Sequence, residues 1–267
     1  MQFNDKKFEL LRYGRSRDEL KDYVTSQDQE IERKENLCDL GIQFSSDGTF
    51  KVHIANIAQK CRGSIGWILR VFKSRDSTTM MTLFKSLVLP HLEYCSPLWS
   101  PCAASSIRSL ESIQQAFTRR IDYLSGKNRP NYWQRLSSLK IYSLERRRER
   151  YILLYLVKII NNRVPNPGVD IRTNQRTGIY ISPPPISKTS PAWVSRLKRE
   201  SFLHKGSLIF NCLPSHLRME ENIRSSQESF KSKLDNFLQL VPDQITVPGL
   251  VRAANSNSLV DHIHYLN

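Results

Sequence analysis

FKSLVLPHLEYCSPLWSP, residues 84–101, is the stretch from which the rest of the chain is read. With Leu83 before them, Phe84, Leu87 and Val88 make an amphipathic segment that runs into Pro90. Proline has no N–H to donate and its ring clashes with the preceding turn, so the spacing predicts a helix that ends or kinks just ahead of it. Beyond the proline, Leu92, Tyr94, Leu98 and Trp99 form a dense apolar and aromatic patch closed by Pro97 and Pro101. Helical segments on both sides need an apolar surface to pack on, and this patch is read as that core.

The clearest helix precedes it, over residues 51–74. Ile54, Ile57, Ala58, Cys61, Ile65, Ile68, Leu69 and Phe72 recur at spacings of three and four and make one stripe. Ser77 is the expected cap of the next helix. After the patch, Ile107, Leu110, Ile113, Gln114, Phe117, Ile121 and Leu124 predict a third helix over 103–124, with Gly126 as its stop. A short helix at 132–139 and a long one at 143–161, capped by Ser143, follow. Long helices with short connections predict a bundle.

Residues 1–14 are read as a strand and 37–44 as a second, followed by a turn at Ser45-Ser46-Asp47-Gly48, since Asp-Gly adopts the positive φ of tight turns. The polar stretch between them reads as a solvated loop or short hairpin. Residues 162–200 carry Pro165, Pro167, Pro183, Pro184, Pro185 and Pro191 among polar residues and read as a linker or irregular arm. Order returns at 201–213, and a last amphipathic helix spans 225–240 with Phe230, Leu234, Phe237 and Leu238 on one side. The final residues are expected to fray. The fold class is therefore mainly α with a small β-hairpin.

The chain has 267 residues, with 40 Lys and Arg against 25 Asp and Glu, a net charge of +15. A field of that sign favours phosphate-bearing partners, RNA or DNA. No apolar run reaches the ~20 residues of a spanning helix, and no apolar signal core opens the chain, so no membrane partner is expected. The five cysteines, Cys38, Cys61, Cys95, Cys102 and Cys212, include no C-x-x-C pair. That argues against a disulfide framework and a structural zinc site, and makes a reducing intracellular compartment the expectation, nuclear or cytoplasmic alike.

Nucleotide-binding and hydrolase signatures are missing. The six histidines show no ligand spacing beyond His262-x-His264, and there is no Asp-Asp pair to hold two magnesium ions. No metal or cofactor is expected. The basic side is richer. Arg119, Arg120, Lys127, Arg129, Arg135, Lys140, Arg146, Arg147, Arg148 and Arg150 are interleaved with Tyr123, Tyr132, Trp133, Tyr142 and Tyr151. Arginine forks bind phosphates and flat rings stack on bases. The candidate contacts are Arg119, Arg120, Arg135, Arg146, Arg147, Arg148 and Arg150. The other reading of such a run is a solvated helix face with ordinary i,i+4 pairs.

Taken together, several stretches resemble the C-terminal part of the reverse transcriptase of non-LTR (LINE-type, jockey-like) retrotransposons. FNDKKFELLRYG (3–14) is similar to the Asn-x-x-Lys strand that follows the catalytic aspartates, with Asn4 and Lys7 on the matching positions. CDLGIQFSSD (38–47), carrying Leu40-Gly41, resembles the primer-grip hairpin. HIANIAQKCRGSIGWILRVF (53–72), LFKSLVLPHLEYCSPLWSP (83–101) and LESIQQAFTRRI (110–121) resemble the thumb helices. YWQRLSSLKIYSLERRRERYILLYLVKII (132–160) resembles the segment after the thumb. SFLHKGSLIFNCLPSHLR (201–218) and FKSKLDNFL (230–238) resemble the closing module.

The resemblance implies RNA-directed DNA polymerase ancestry and template–primer binding through phosphates. It places the catalytic carboxylates in an Asp-Asp strand upstream of the first motif, so Mg²⁺ is expected only for the full-length family enzyme and this chain alone is expected to be inactive. Lys7 matches the lysine that can protonate leaving pyrophosphate, an ammonium being both donor and counter-charge. Six segments are implied: a two-stranded palm remnant with primer grip at 1–50, a thumb-like helical bundle at 51–125, a basic helical extension at 126–161, the Pro-rich linker at 162–200, a C-terminal module at 201–240 and a tail at 241–267. The rival expectation is a helical protein-interaction module, or a neutral relic, whose charge serves solubility.

Overall fold

The computed structural model describes residues 7–14, 23–25, 28–121, 130–241, 243 and 258–260. It is mainly helical, with three small two-stranded sheets. The chain divides into two compact units, Met1–Gln59 and Lys60–Asn267.

In the first unit, β1 (Leu10–Leu11) pairs parallel with β2 (Arg33–Lys34). The strand expected over 1–14 is thus two residues long among the described positions. β3 (Asn36–Asp39) and β4 (Ile42–Ser45) form an antiparallel hairpin. This corrects the reading of 37–44 as one strand: the chain reverses at Leu40 and Gly41, with φ of 47° and 81°. Two successive positive φ values make the tight turn whose twist matches the flanking strands. Glycine adopts that conformation freely, whereas Leu40 takes it at a steric cost and leaves its side chain 82% exposed. The Asp-Gly turn forms as expected: Gly48 has φ 70°, and Asp47 Oδ1 accepts from Thr49 N at 2.8 Å. The ring of Phe44 meets Phe50 edge-on at 5.8 Å, and Gln43 N donates to His53 Nδ1 at 3.3 Å.

Helix α1 (Lys51–Val71) carries residues of both units. Its buried apolar positions, Ile54, Ala58, Cys61, Ile65 and Ile68, follow the expected stripe, and His53 is buried beside it. Arg75 closes its end, donating to the carbonyls of Leu69 and Phe72.

In the second unit, α2 (Ser77–Leu83) is capped by Asp76, one residue before the expected Ser77: its carboxylate accepts from Thr79 N at 2.9 Å. A carboxylate is the stronger cap because it also answers the positive end of the helix. Pro90 does not end the helical path. A π-helical turn, Phe84–Val88, widens it by one residue, and Leu89 N reaches back to Phe84 O before α3 (Leu89–Glu93) continues. The π-turn accommodates what Pro90 cannot donate. Cys95, at φ 50°, turns the chain into α4 (Ser96–Trp99), and Trp99 Nε1 donates to Tyr94 O at 2.8 Å. The expected core patch is therefore split: Leu92 and Trp99 are buried, while Tyr94 and Leu98 lie on the surface.

Helix α5 (Ala104–Thr118) buries Ile107, Leu110, Ile113, Gln114 and Phe117, with Phe117 stacked on Phe84 at 4.8 Å. Leu124 and Gly126 lie outside the described residues. α6 (Tyr132–Leu139) opens with a reciprocal Asn131–Gln134 capping box and closes on Lys140 at φ 51°. α7 (Leu144–Ile160) is capped by Ser143, as expected, through Arg146 N.

Residues 162–200 are not an irregular arm. β5 (Asp170–Asn174) and β6 (Gly178–Ser182) form an antiparallel hairpin, and α8 (Ala192–Glu200) follows. Ile179 and Ile181 point into the core. Gly178, at φ 78°, lies so close to Arg218 that an added Cβ would sit 2.4 Å from its carbonyl oxygen. The second half of α7, β6, α9 (Phe202–Asn211), α10 (Ser215–Arg218), α11 (Glu220–Ile223) and α12 (Gln227–Leu240) enclose the main core, with Leu153, Leu156, Phe210, Phe230 and Leu234 at its centre. The described tail residues do not fray. Leu259 is fully buried, and Val241 O accepts from Arg146 Nη1 at 3.1 Å. Among the described residues, no helix is long and apolar enough to cross a membrane.

Candidate nucleic-acid interface

The charged first half of α7 is embedded rather than solvated. α4, α5, α9 and α12 all pack against this helix, so only a narrow stripe stays open. Leu144, Glu145, Arg146, Arg148 and Glu149 are buried; Arg147, Arg150 and Tyr151 lie at the edge. This corrects the expectation that Arg146 and Arg148 face phosphates. Neither side chain reaches solvent: they are 0% and 1% exposed. Arg135 is also buried, tying α6 to α5 by donating to Thr118 Oγ1 at 3.2 Å and to Pro130 O at 2.9 Å.

Arg148 is the centre of a buried charge cluster. Its three guanidinium nitrogens have no hydrogen-bond partner among the described residues, while Glu111, Glu145 and Glu149 surround it electrostatically. Burial pulls its pKa down and the carboxylates push it back up. Glu111 accepts from the Tyr132 hydroxyl and, at 3.1 Å, from Leu144 N. Glu149 accepts from Ser258 Oγ at 2.6 Å and Leu259 N at 2.8 Å. Burial pushes Glu111 and Glu149 each up to about 7, against the pull of those hydrogen bonds and of nearby cations.

This cluster fixes a sign for the pH dependence of stability. Between the ordinary carboxyl value of 4.5 and about 7, the folded chain holds protons that the unfolded chain has released. Stability therefore falls as pH rises through that window, by roughly 3 kcal/mol per carboxyl at full effect. Thermal melts from pH 5 to 8 are expected to show a falling midpoint, and Glu111→Gln to flatten the slope. A midpoint that rises over this range in the native chain would contradict the burial of these acids.

The remaining predicted cations divide again. Arg119 and Arg120 are exposed at the end of α5. Arg147 pairs with Glu93, and Arg150 makes a two-pronged pair with Asp235, Nη2 to Oδ2 at 2.8 Å. Both also line a groove of about 1110 Å³ between α6, α7 and α12. Lys140 and Lys231 bring further positive charge to its walls, and Trp133, Tyr142 and Tyr151 supply aromatic surface. Asp235 and Asp243 also line it, and with Glu93 on Arg147 three acids stand against the four cations. Neither lysine makes an ion pair among the described residues. Such a groove could meet a phosphate backbone through its two lysine ammonium groups, its guanidinium groups being already paired with Glu93 and Asp235, beside rings on which a base could stack.

The groove was only partly legible in the sequence. Lys140, Trp133 and the tyrosines stand in the basic run, but Lys231, Asp235 and Asp243 come from a part of the chain about ninety residues away. Glu111 carried a signal, being an acid within the apolar stripe between Ile107 and Gln114. Lys7 is exposed, and Leu40-Gly41 forms the hairpin tip. Asn4, Lys127, Arg129, Tyr123 and His262-x-His264 lie outside the described residues. Among the described residues, no group of three His, Cys, Asp or Glu side chains converges as a metal cage would. No protein-family model, curated protein or solved structure matches this chain.

Proposed function

We propose that this chain derives from the palm-end, thumb and post-thumb region of a non-LTR reverse transcriptase, and that its task is to hold a template–primer by the phosphate backbone. The ordered run of similar stretches over most of residues 3–240 supports the ancestry. The observation that carries the binding role is the α6–α7–α12 groove, where Lys140, Arg147, Arg150 and Lys231 meet beside Trp133. The net charge of +15 adds long-range attraction for a polyanion. The interface is smaller than the full arginine run, because Arg135, Arg146 and Arg148 serve the interior. Lys7 would act on pyrophosphate only beside a carboxylate pair, and the sequence has no Asp-Asp dipeptide.

Filter binding of an RNA–DNA hybrid across a salt titration tests this reading. Affinity is expected to fall steeply, with a log–log slope of about −4 for four or five phosphate contacts. Primer extension by the isolated chain with Mg²⁺ is expected to be absent. A flat salt response would defeat the binding role, and reproducible nucleotide incorporation would defeat the assignment of a gripping role alone. The second reading, a helical protein-interaction module, is favoured by the burial of Arg146 and Arg148, which removes two cations from the surface. It predicts weak binding with no dependence on the groove lysines.

A further inference from the structure

Helix α8 belongs to the second unit and, among the described residues, is the one helix of eight or more residues that buries none of them. It packs on α9, with Val194 and Leu197 half-buried. Trp193, Arg196 and Arg199 follow one another at intervals of three residues, which places them side by side on the helix surface. All three are exposed, Trp193 by 41%, and Lys198 is exposed as well. Neither the two arginines nor Lys198 makes an ion pair or a side-chain hydrogen bond among the described residues. Glu200, the single acid of the helix, stands one turn beyond Arg196, half-buried and not paired with it, and its charge bears on Cys102. None of these side chains lines the α6–α7–α12 groove. Lys198 and Arg199 suit the negative end of the helix, but that role needs neither Arg196 nor an exposed indole.

We propose that α8 is a second nucleic-acid contact, for a single-stranded stretch: an unpaired base stacks on Trp193 while adjoining phosphates meet Arg196 and Arg199. The exposed ring selects the unpaired form, because in a duplex the neighbouring bases already cover both faces of each base. Guanidinium groups without an internal partner lose no ion pair when a phosphate takes them. Three unpaired cations on nine residues are complementary to a polyanion, and the net charge of +15 draws the same class of ligand. The site goes beyond the template–primer reading of the groove: it takes a different form of the ligand and uses none of the groove residues.

Fluorescence anisotropy of the full chain with a labelled single-stranded RNA and with a blunt RNA–DNA hybrid tests the site, circular dichroism melts confirming that each variant folds. Trp193→Ala is expected to weaken single-strand binding by about tenfold, and Trp193→Phe to keep it near native. Arg196→Gln with Arg199→Gln is expected to weaken it too and to shrink the salt slope by about 1.4. Binding of the blunt hybrid is expected to survive all three changes. Lys140→Glu with Lys231→Glu, run in parallel on the hybrid, reads the groove separately, so either site can fail without the other. Folded α8 variants that bind the single strand with native affinity and slope would overturn the proposal, whatever the lysine pair does. Equal losses on both ligands would overturn it as well, by reducing α8 to general charge. Co-sedimentation with phosphatidylserine vesicles completes the set: loss of vesicle binding in the α8 variants, with single-strand binding intact, would assign the helix to a lipid surface instead.

Discussion

Arg148→Ala is expected to destabilise the chain by about 3–5 kcal/mol, the cost of leaving buried carboxylates without their counter-charge. Glu111, Glu145 and Glu149 all act on that guanidinium electrostatically, and its three buried nitrogens have no hydrogen-bond partner among the described residues. Urea unfolding at pH 8, where Glu111 and Glu149 are mostly ionised, is the measurement. The cost is expected to shrink by at least about 1 kcal/mol in a Glu111→Gln background, since one of the stranded charges is then gone. A loss below about 1 kcal/mol for Arg148→Ala alone would mean that the cluster is not closed to solvent as described. The same logic makes Arg146, Arg147 and Arg148 a poor set for testing nucleic-acid binding. Reversing the two buried members would unfold the helix's surroundings before it touched any ligand.

The parts of the fold that the sequence made legible are those in which periodicity and burial agree. The stripes of α1 and α5 lie at helical spacing, and the structure buries most of the same residues, with Ile57, Leu69 and Phe72 half-buried and Leu124 outside the described residues. Pro90 and Gly41 show where local rules fell short. Proline correctly marked a disturbance, but the π-turn at 84–88 absorbed it without ending the path. Leu40 hid a hairpin turn, because leucine seldom takes positive φ and the run Leu37–Phe44 looked like a continuous strand. In 162–200 the prolines bracket a hairpin rather than interrupt it: residues 169–182 contain none, and Ile179 and Ile181 alternate as a strand should. The prolines drew attention away from that pattern.

The charged half of α7 was the harder case. A run reading Glu-Arg-Arg-Arg-Glu-Arg has no apolar face, so the ordinary inference is a solvated helix. Packing from several sides overrode it, and the mixed signs at Glu145, Arg148 and Glu149 make that burial tolerable. The groove could not be read locally at all. It needs Lys231 and Asp235 of α12 beside Arg150 of α7, and that proximity is a product of the tertiary fold alone.

The account rests on the groove between α6, α7 and α12 acting as the backbone grip, and Lys140→Glu with Lys231→Glu tests it most directly. Both side chains are exposed and make no ion pair among the described residues, so the fold is expected to survive the exchange. Each lysine that neutralises a phosphate contributes about one unit to the salt slope. Affinity for an RNA–DNA hybrid, measured from about 50 to 200 mM salt, is expected to drop by at least about tenfold, and the slope to shrink by about two. A folded double variant that binds with native affinity and native slope would contradict the account.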